Sequence, residues 1–198
     1  MTLTQNELYA LLLAAVLIAA LIAVVAWAAA QRRRKESSRL QQRFGPEYVR
    51  LVNELGRSKA EAELAAREKR VATLTLVSLP AAEAAKFRDD WIAIQARFVD
   101  DPKSSVVEAD HLVYELMAKR GYPMGDFERR AADISVDHPA VISNYRAARA
   151  ISLRDERGEA TTEELRKAVV HYRALFQELL EVRDSQPQVV PQRPVSVS

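Results

Sequence analysis

The hydrophobic pattern divides the chain into an apolar N-terminal run and a longer part with helical periodicity. Residues 8–30 are 23 consecutive apolar residues, LYALLLAAVLIAALIAVVAWAAA. As a helix this run is about 35 Å long, enough to cross a hydrocarbon layer of roughly 30 Å. Tyr9 and Trp27 lie near its ends, where amphipathic rings favour the membrane interface. The pattern predicts a short tail over residues 1–7 and a transmembrane helix from Leu8 to Ala30.

A cleaved signal peptide is the alternative interpretation of this run. Ala26-Trp27-Ala28 fits the small-x-small pattern of a cleavage site. However, residues 1–7 contain no Lys or Arg, and the run is longer than the usual apolar core of a signal peptide, about 7–15 residues. The sequence therefore favours a retained membrane helix.

The charges that flank the apolar run predict its orientation. Only Glu7 is charged upstream, whereas residues 32–43 carry a net charge of +5 and residues 44–198 a net charge of −2. Positively charged flanks remain on the cytoplasmic side, so we expect the N-terminus outside and residues 31–198 in the cytoplasm. This basic collar lies in the juxtamembrane segment 31–45 and also suits anionic lipid headgroups, although a topology signal alone is the simpler interpretation. The basic collar consists of Arg32, Arg33, Arg34, Lys35, Arg39 and Arg43.

Residues 46–184 show the punctuation of an α-helical domain. Pro46 follows Gly45 as a first-turn proline, and Asp101 before Pro102 is typical of an N-cap. Asp126 is a further N-cap candidate. Two S/T-x-x-E capping boxes are present, Ser58 with Glu61 and Thr161 with Glu164. Because apolar residues recur at helical spacing between these signals, the sequence predicts an all-α domain of about six helices, a helical bundle.

Two segments fit this helical pattern less well. The helix that opens at Ser58 is predicted to reach about Val77, although the β-branched and Leu-rich end of the segment, VATLTLVSL at 71–79, also suits a strand. No pairing partner for a strand is evident, which favours the helix. Residues 185–198 contain three prolines and no periodicity, so we expect a disordered Pro-rich tail.

Composition and charge exclude several classes of protein. The chain has no cysteine, which excludes disulfide-stapled modules and thiolate metal sites. The five glycines form no Gly-rich phosphate loop, and no serine lies in a G-x-S-x-G elbow. The formal net charge of +2 and the scattered basic residues do not suggest nucleic-acid binding. We therefore expect no cofactor and no nucleic-acid partner.

The strongest candidate for chemistry is the E-x-x-H motif formed by Glu108 and His111. This spacing places a carboxylate and an imidazole on one helix face, as in di-iron bundles that use two such copies. Here the second copy is missing, because Ser135 and Ala168 occupy the equivalent positions before the other two histidines. A membrane-bound, metal-dependent enzyme that uses this pair is therefore the alternative function, and a surface helix pair is the simpler interpretation.

Aromatic and arginine residues that follow one another suggest a partner-binding surface. The pairs are Tyr145 with Arg146 and Tyr172 with Arg173, residue types that dominate interface hot spots. The alternative is that the tyrosines pack in the core while the arginine heads extend to solvent, and the helical spacing favours this alternative.

Five sequence blocks resemble a group of uncharacterised bacterial proteins that have one N-terminal membrane span and a helical soluble domain. The resemblance extends from residue 43 to about residue 180. It implies a bacterial plasma-membrane setting and carries no activity, cofactor or catalytic residue. The blocks are RFGPEY (43–48), QARFVDDP (95–102), RGYP (120–123), TEELR (162–166) and HYRALF (171–176).

Together these features predict a single-pass membrane protein with a cytoplasmic helical domain. The most specific role they support is that of a protein-binding or scaffolding module at the membrane, because a tether raises the domain's effective concentration towards other membrane proteins.

Overall fold

The structure, a computed structural model, describes the backbone of residues 5–181 and the side chains of residues 17–180. This part of the chain forms eight α-helices and no strand, which confirms the all-α prediction. Residues 1–4 of the predicted N-terminal tail and the whole predicted tail 185–198 lie outside the described residues. The helices are α1 (Gln5–Phe44), α2 (Pro46–Leu55), α3 (Arg57–Val71), α4 (Ala81–Arg97), α5 (Pro102–Lys119), α6 (Phe127–Asp137), α7 (Ile142–Glu156) and α8 (Thr162–Glu181).

The larger core lies among α4, α5, α7 and α8. Helix α8 buries one stripe, with Ala168, Tyr172, Leu175 and Leu179 spaced three or four residues apart. This spacing places their side chains on one face, which packs against α5 and α7. Trp91 of α4 stacks on Phe176 with ring centroids 4.9 Å apart, which closes the core on the α4 side.

A second, smaller core joins the end of α1 to α2, α3 and α6. We call it the N-terminal cluster. Helix α1 continues without a break to Phe44, through nearly all of the predicted juxtamembrane segment 31–45, and buries Leu40 and Phe44, so the domain core begins before residue 46. The chain then turns at Gly45, which has a φ of +47°. The cluster consists of Leu40, Phe44, Tyr48, Leu51, Ala60, Leu64, Val71 and Val136.

Three of the four predicted helix caps are confirmed. The Asp101 carboxylate accepts a hydrogen bond from the Ser104 amide at 3.1 Å, and Asp126 caps α6 in the same way. Thr161 and Glu164 form a reciprocal capping box. The predicted box of Ser58 and Glu61 is wrong.

Tertiary contacts explain the failure of that box. Helix α3 begins at Arg57 with Gly56 at its N-cap position, two residues before the predicted N-cap Ser58, and it has no side-chain cap. Glu61 instead accepts hydrogen bonds from the hydroxyl groups of Ser37 and Tyr48.

The segment after α3 is neither helix to Val77 nor strand. Helix α3 ends at Val71, a turn follows over residues 72–74, and residues 75–80, which pass the end of α5, have no regular secondary structure. The Val77 amide donates a hydrogen bond to the Arg120 carbonyl at 3.0 Å. Leu74 and Leu76 are partly buried and pack against the larger core. The apolar residues after Val71 therefore contact the core from a turn and an irregular segment, and the predicted helix to Val77 is wrong.

Candidate functional site

The most distinctive region of the molecule is the junction where α1 enters the helical domain. Leu40 and Phe44 are buried in the N-terminal cluster, while one helical turn earlier the same helix is exposed on most sides. Ion pairs surround this apolar contact. The junction therefore combines the end of the predicted anchor, the basic collar and the first buried residues of the domain.

The basic collar divides into two groups at this junction. Arg39 donates two hydrogen bonds to the Glu68 carboxylate at 2.7 and 2.8 Å, and Arg43 lies 2.9 Å from the same carboxylate. Hydrogen bonding by Arg39 lowers the pKa of Glu68 despite its partial burial. These two collar arginines thus hold α1 on α3. They are oriented towards the domain as well as towards solvent.

The other collar residues remain available to an external partner. Arg32, Arg33, Arg34 and Lys35 are exposed, and none of them forms an ion pair within the described part of the chain. They follow the last apolar residue, Ala30, within about one and a half turns. The sequence pattern alone gave no reason to distinguish the six collar residues. In the fold, four of them are exposed without an ion pair, and the other two bind α1 to α3.

A buried carboxylate, that of Glu47, connects α2 to α3 and α7. Its side chain is 2% exposed. The carboxylate forms ion pairs with Arg50 at 2.7 Å, Arg67 at 2.9 Å and Arg146 at 3.3 Å. Burial alone would raise the pKa of Glu47, but these three guanidinium groups outweigh it and lower the pKa to about 2. The carboxylate is therefore ionised at neutral pH, and its negative charge partly neutralises the positive charges of the three arginines around it.

A second buried pair connects α3 to α6. Arg70 contacts the fully buried carboxylate of Asp133 at 2.7 Å, and Arg129 approaches the same carboxylate at 3.8 Å. Arg67 also donates a hydrogen bond to the Ser135 hydroxyl at 3.4 Å. Sequence analysis did not single out Glu47, Arg67 or Asp133, because each is an ordinary polar position in an amphipathic helix until the fold buries it.

The predicted membrane span is only partly within the described residues. The side chains of residues 8–16, including Leu8 and Tyr9, lie outside them. Between residues 17 and 30 the described side chains are mostly exposed, with Trp27 at 67%. Across the side chains that the structure describes, no helix has an apolar stretch long enough to cross a membrane.

The predicted partner surface does not form as a unit. Tyr145 and Tyr172 are 1% and 0% exposed and belong to the larger core, so they do not present a surface. Burial raises the pKa of both hydroxyl groups. Arg146 pairs with Glu47 and, at 2.7 Å, with Glu128. Only Arg173 is exposed without such a partner in the described region.

Arg173 instead lines a groove between α4 and α8. The groove encloses about 290 Å³, and its floor includes the stacked rings of Trp91 and Phe176. Ile92 is exposed at its edge. The α4–α8 groove is lined by Arg88, Trp91, Ile92, Gln95, Arg173, Phe176, Gln177 and Leu180. Neither Arg88 nor Arg173 lies within ion-pair distance of a described carboxylate.

The candidate metal pair, Glu108 and His111, is spread over an open surface. Glu108 contacts Arg97 at 2.9 Å, which occupies its carboxylate. His111 is 68% exposed at its side chain and lies 3.6 Å from Glu115. Within residues 17–180, no three His, Asp or Glu side chains converge as a metal ion requires. The geometry therefore adds no support to the enzymatic alternative.

The chain matches no family model, and comparison with curated proteins and with solved structures finds no significant match. Its function must therefore be argued from the geometry of the junction and of the exposed surfaces.

Proposed function

We propose that this protein is a single-pass anchor of the bacterial plasma membrane whose cytoplasmic helical domain binds a protein partner. One observation carries the proposal. A single continuous helix, α1, bears an exposed apolar segment, then the exposed cations of the basic collar, and then the buried residues Leu40 and Phe44. The anchor and the domain are thus parts of one rigid element.

The exposed apolar side chains of α1 support insertion into lipid. Fully burying a Val, Leu or Ile side chain is worth about 1.5–3 kcal/mol, and nothing within the described chain covers these residues. A continuous patch of this kind marks a surface that contacts a membrane or another protein. The exposed residues are Leu17, Ile18, Leu21, Ile22, Val24, Val25 and Trp27. With residues 8–16 the run is long enough to span a bilayer.

The exposed part of the basic collar supports a cytoplasmic location for the domain. Arg32, Arg33, Arg34 and Lys35 immediately follow the apolar run and are not neutralised by described carboxylates. Clusters of this kind resist translocation across the membrane. Protease added to spheroplasts should therefore leave residues 31–198 intact. Digestion of the domain under these conditions would reverse the proposed topology.

A pair of charge substitutions tests the anchor. Leu21→Arg with Val25→Arg places two cations near the middle of the run, at a cost of about 2.5–3.5 kcal/mol each in lipid. We expect this variant to be released from membranes by alkaline carbonate, which the wild-type chain should resist. Ile92→Arg, an equally exposed position on α4, serves as the matched control and should remain in the membrane fraction. Release of the wild-type chain would overturn the anchor.

The α4–α8 groove is the surface that best suits a protein partner. Its apolar floor and its two arginines without described carboxylate partners complement an acidic amphipathic segment. A photo-crosslinking residue in place of Ile92 should give a discrete product in cells. Arg173→Glu should abolish this product, whereas Lys167→Glu, the same charge change elsewhere on α8, should preserve it. Equal effects of the two substitutions would count against a partner in this groove.

A further inference from the structure

A basic cleft lies between the membrane-proximal part of α1 and the beginning of α3. We call it the α1–α3 cleft. It encloses about 600 Å³ and brings together two groups of residues that are at least twenty positions apart in the sequence. Its lining residues are Arg33, Arg34, Glu36, Ser37, Arg57, Ser58 and Glu61.

The carboxylates that line the cleft accept hydrogen bonds in the described part of the chain, whereas its arginines have no such partners. Glu36 pairs with Arg39 at 2.6 Å, and Glu61 accepts hydrogen bonds from the hydroxyl groups of Ser37 and Tyr48, so in the described part of the chain three arginines face one carboxylate that has no cationic partner. By contrast, none of the three lining arginines lies within ion-pair distance of a carboxylate in the described part of the chain. The cleft therefore presents guanidinium groups whose hydrogen-bonding capacity is free for an anion.

The position of the cleft along α1 identifies the source of that anion. Arg33 follows Ala30 by three residues, about 4.5 Å along a helix. The headgroup layer of a bilayer is roughly 5–8 Å thick on each side of the hydrocarbon core. If α1 spans the bilayer with residues 8–30 in the hydrocarbon, the cleft lies at the depth of the lipid phosphates.

We propose that the α1–α3 cleft binds the headgroup phosphate of an anionic phospholipid. The planar, multi-donor guanidinium group suits phosphate oxygens, and arginines from two helices would approach one phosphate from two sides. This inference rests on the proposed membrane anchor. It goes beyond a topology signal because it includes Arg57, which is outside the basic collar and is positioned only by the fold.

Native mass spectrometry of the full chain tests the cleft. The protein is inserted into nanodiscs of phosphatidylcholine with about one fifth phosphatidylglycerol, and the lipid that remains bound after release is identified. We expect wild-type protein to retain phosphatidylglycerol in preference to phosphatidylcholine. One basic contact to an anionic surface is worth about 1 kcal/mol, so Arg57→Ala should lower this preference about five-fold.

Matched control variants distinguish headgroup binding in the α1–α3 cleft from a nonspecific attraction of basic residues to anionic lipid. Lys59→Ala removes one exposed cation from the same turn of α3 but does not line the cleft, and it should leave the preference unchanged. On α1, Arg33→Ala should act like Arg57→Ala, whereas Arg32→Ala should not. Equal losses for cleft and control variants would overturn the inference, as would equal retention of the two lipids by the wild-type protein.

The two proposals fail in different ways in this experiment. A wild-type chain that does not insert even into pure phosphatidylcholine nanodiscs would overturn the anchor and the headgroup site together. A chain that inserts normally but shows no lipid preference would overturn the headgroup site alone. Circular dichroism of each variant should show unchanged helicity, since Arg57 and Arg33 are exposed.

Discussion

At the scale of single residues, we expect substitution of Glu47 to have a large effect on the stability of the fold. Three arginines converge on its buried carboxylate, so Glu47→Gln would leave Arg67 beside a neutral group in a buried site. Removing one partner of a buried ion pair costs about 3–5 kcal/mol. We expect a loss of this size in the free energy of unfolding measured by urea denaturation. Glu54→Gln, which removes an exposed partner of Arg50, should change it by less than about 1 kcal/mol.

The same carboxylate gives a defined pH dependence. Its pKa is lowered to about 2 in the folded state from an ordinary value of 4.5, so the unfolded chain binds more protons between these values. Glu47 therefore contributes stability above about pH 4.5, and this contribution is lost as the pH falls towards 2. A shift of this size corresponds to about 3 kcal/mol. The free energy of unfolding, measured by denaturation at each pH from 6 to 2.5, should decrease less steeply with falling pH for Glu47→Gln than for the wild-type protein.

Gly121 is a position where the backbone requires glycine. Its φ is +88°, and a Cβ there would lie 2.6 Å from the Thr75 carbonyl oxygen. Gly121→Ala would combine a left-handed backbone with a clash against the irregular segment after α3, so we expect a loss of about 2 kcal/mol or more. Gly158→Ala provides the control, because its φ of +72° is similar and its Cβ would meet nothing within 4 Å. A similar melting temperature for the two variants would contradict the role of the Thr75 contact.

Sequence reasoning recovered the residues that act locally. The caps Asp101, Asp126 and Thr161 bond to amides three residues away, so the chemistry and the spacing were both visible in the sequence. The partners of Glu47 lie on three helices, as far away as Arg146. No local spacing encodes that convergence, and this is why the buried ion pairs were missed.

At the scale of secondary-structure elements, the end of α1 is a docking segment of the domain. Phe44 is fully buried in the N-terminal cluster, and truncation of a buried Phe costs about 3–5 kcal/mol. Because this cluster is small and separate from the larger core, we expect Phe44→Ala to release the end of α1 before the rest unfolds. Hydrogen exchange should show lost protection over residues 37–44 and retained protection in α5 and α8. Val49→Ala, at an exposed position of α2, should leave both regions protected.

The bounds of α8 and α3 show when the hydrophobic pattern alone is sufficient to predict where a helix ends. Helix α8 was predicted well because a capping box precedes a long stripe of apolar residues with helical spacing. Helix α3 was predicted six residues too long. After Val71 the chain turns, and Leu74 and Leu76 of the irregular segment that follows pack on the larger core, which is formed by helices distant in sequence. The pattern identified core-contacting residues in both cases, but only tertiary packing decided where the helix ended.

At the scale of the whole molecule, two cores are joined by ion pairs as well as by apolar contact. Arg70 with Asp133 connects α3 to α6, a helix that contributes to both cores, and Arg146 with Glu47 connects α2 to α7. The cluster also holds α1 through Leu40, Phe44, Arg39 and Arg43. Because α1 continues from this attachment into the apolar run, the orientation of the domain is coupled to the orientation of the helix.

This coupling predicts a fixed geometry between the apolar run of α1 and the domain. The chain contains no cysteine, so Trp27→Cys and Val49→Cys can carry two spin labels without competing sites. Residues 27 and 44 are separated by about 26 Å along the helix, and Val49 lies one turn into α2, so the distance between the two labels is in the range of pulsed electron paramagnetic resonance. In nanodiscs we expect one narrow distance distribution for the otherwise unchanged chain.

Interrupting α1 between the apolar run and the domain should remove that constraint. Two glycines inserted after Lys35 would each cost the helix about 1 kcal/mol and would rotate everything beyond them relative to the apolar run. The distance distribution should then broaden or shift, while hydrogen exchange in α5 and α8 stays unchanged. Two alanines inserted at the same place preserve helicity and should shift the distance without broadening it. A broad distribution in the uninterrupted chain would show that the domain moves freely relative to the apolar run, and α1 would not couple the two.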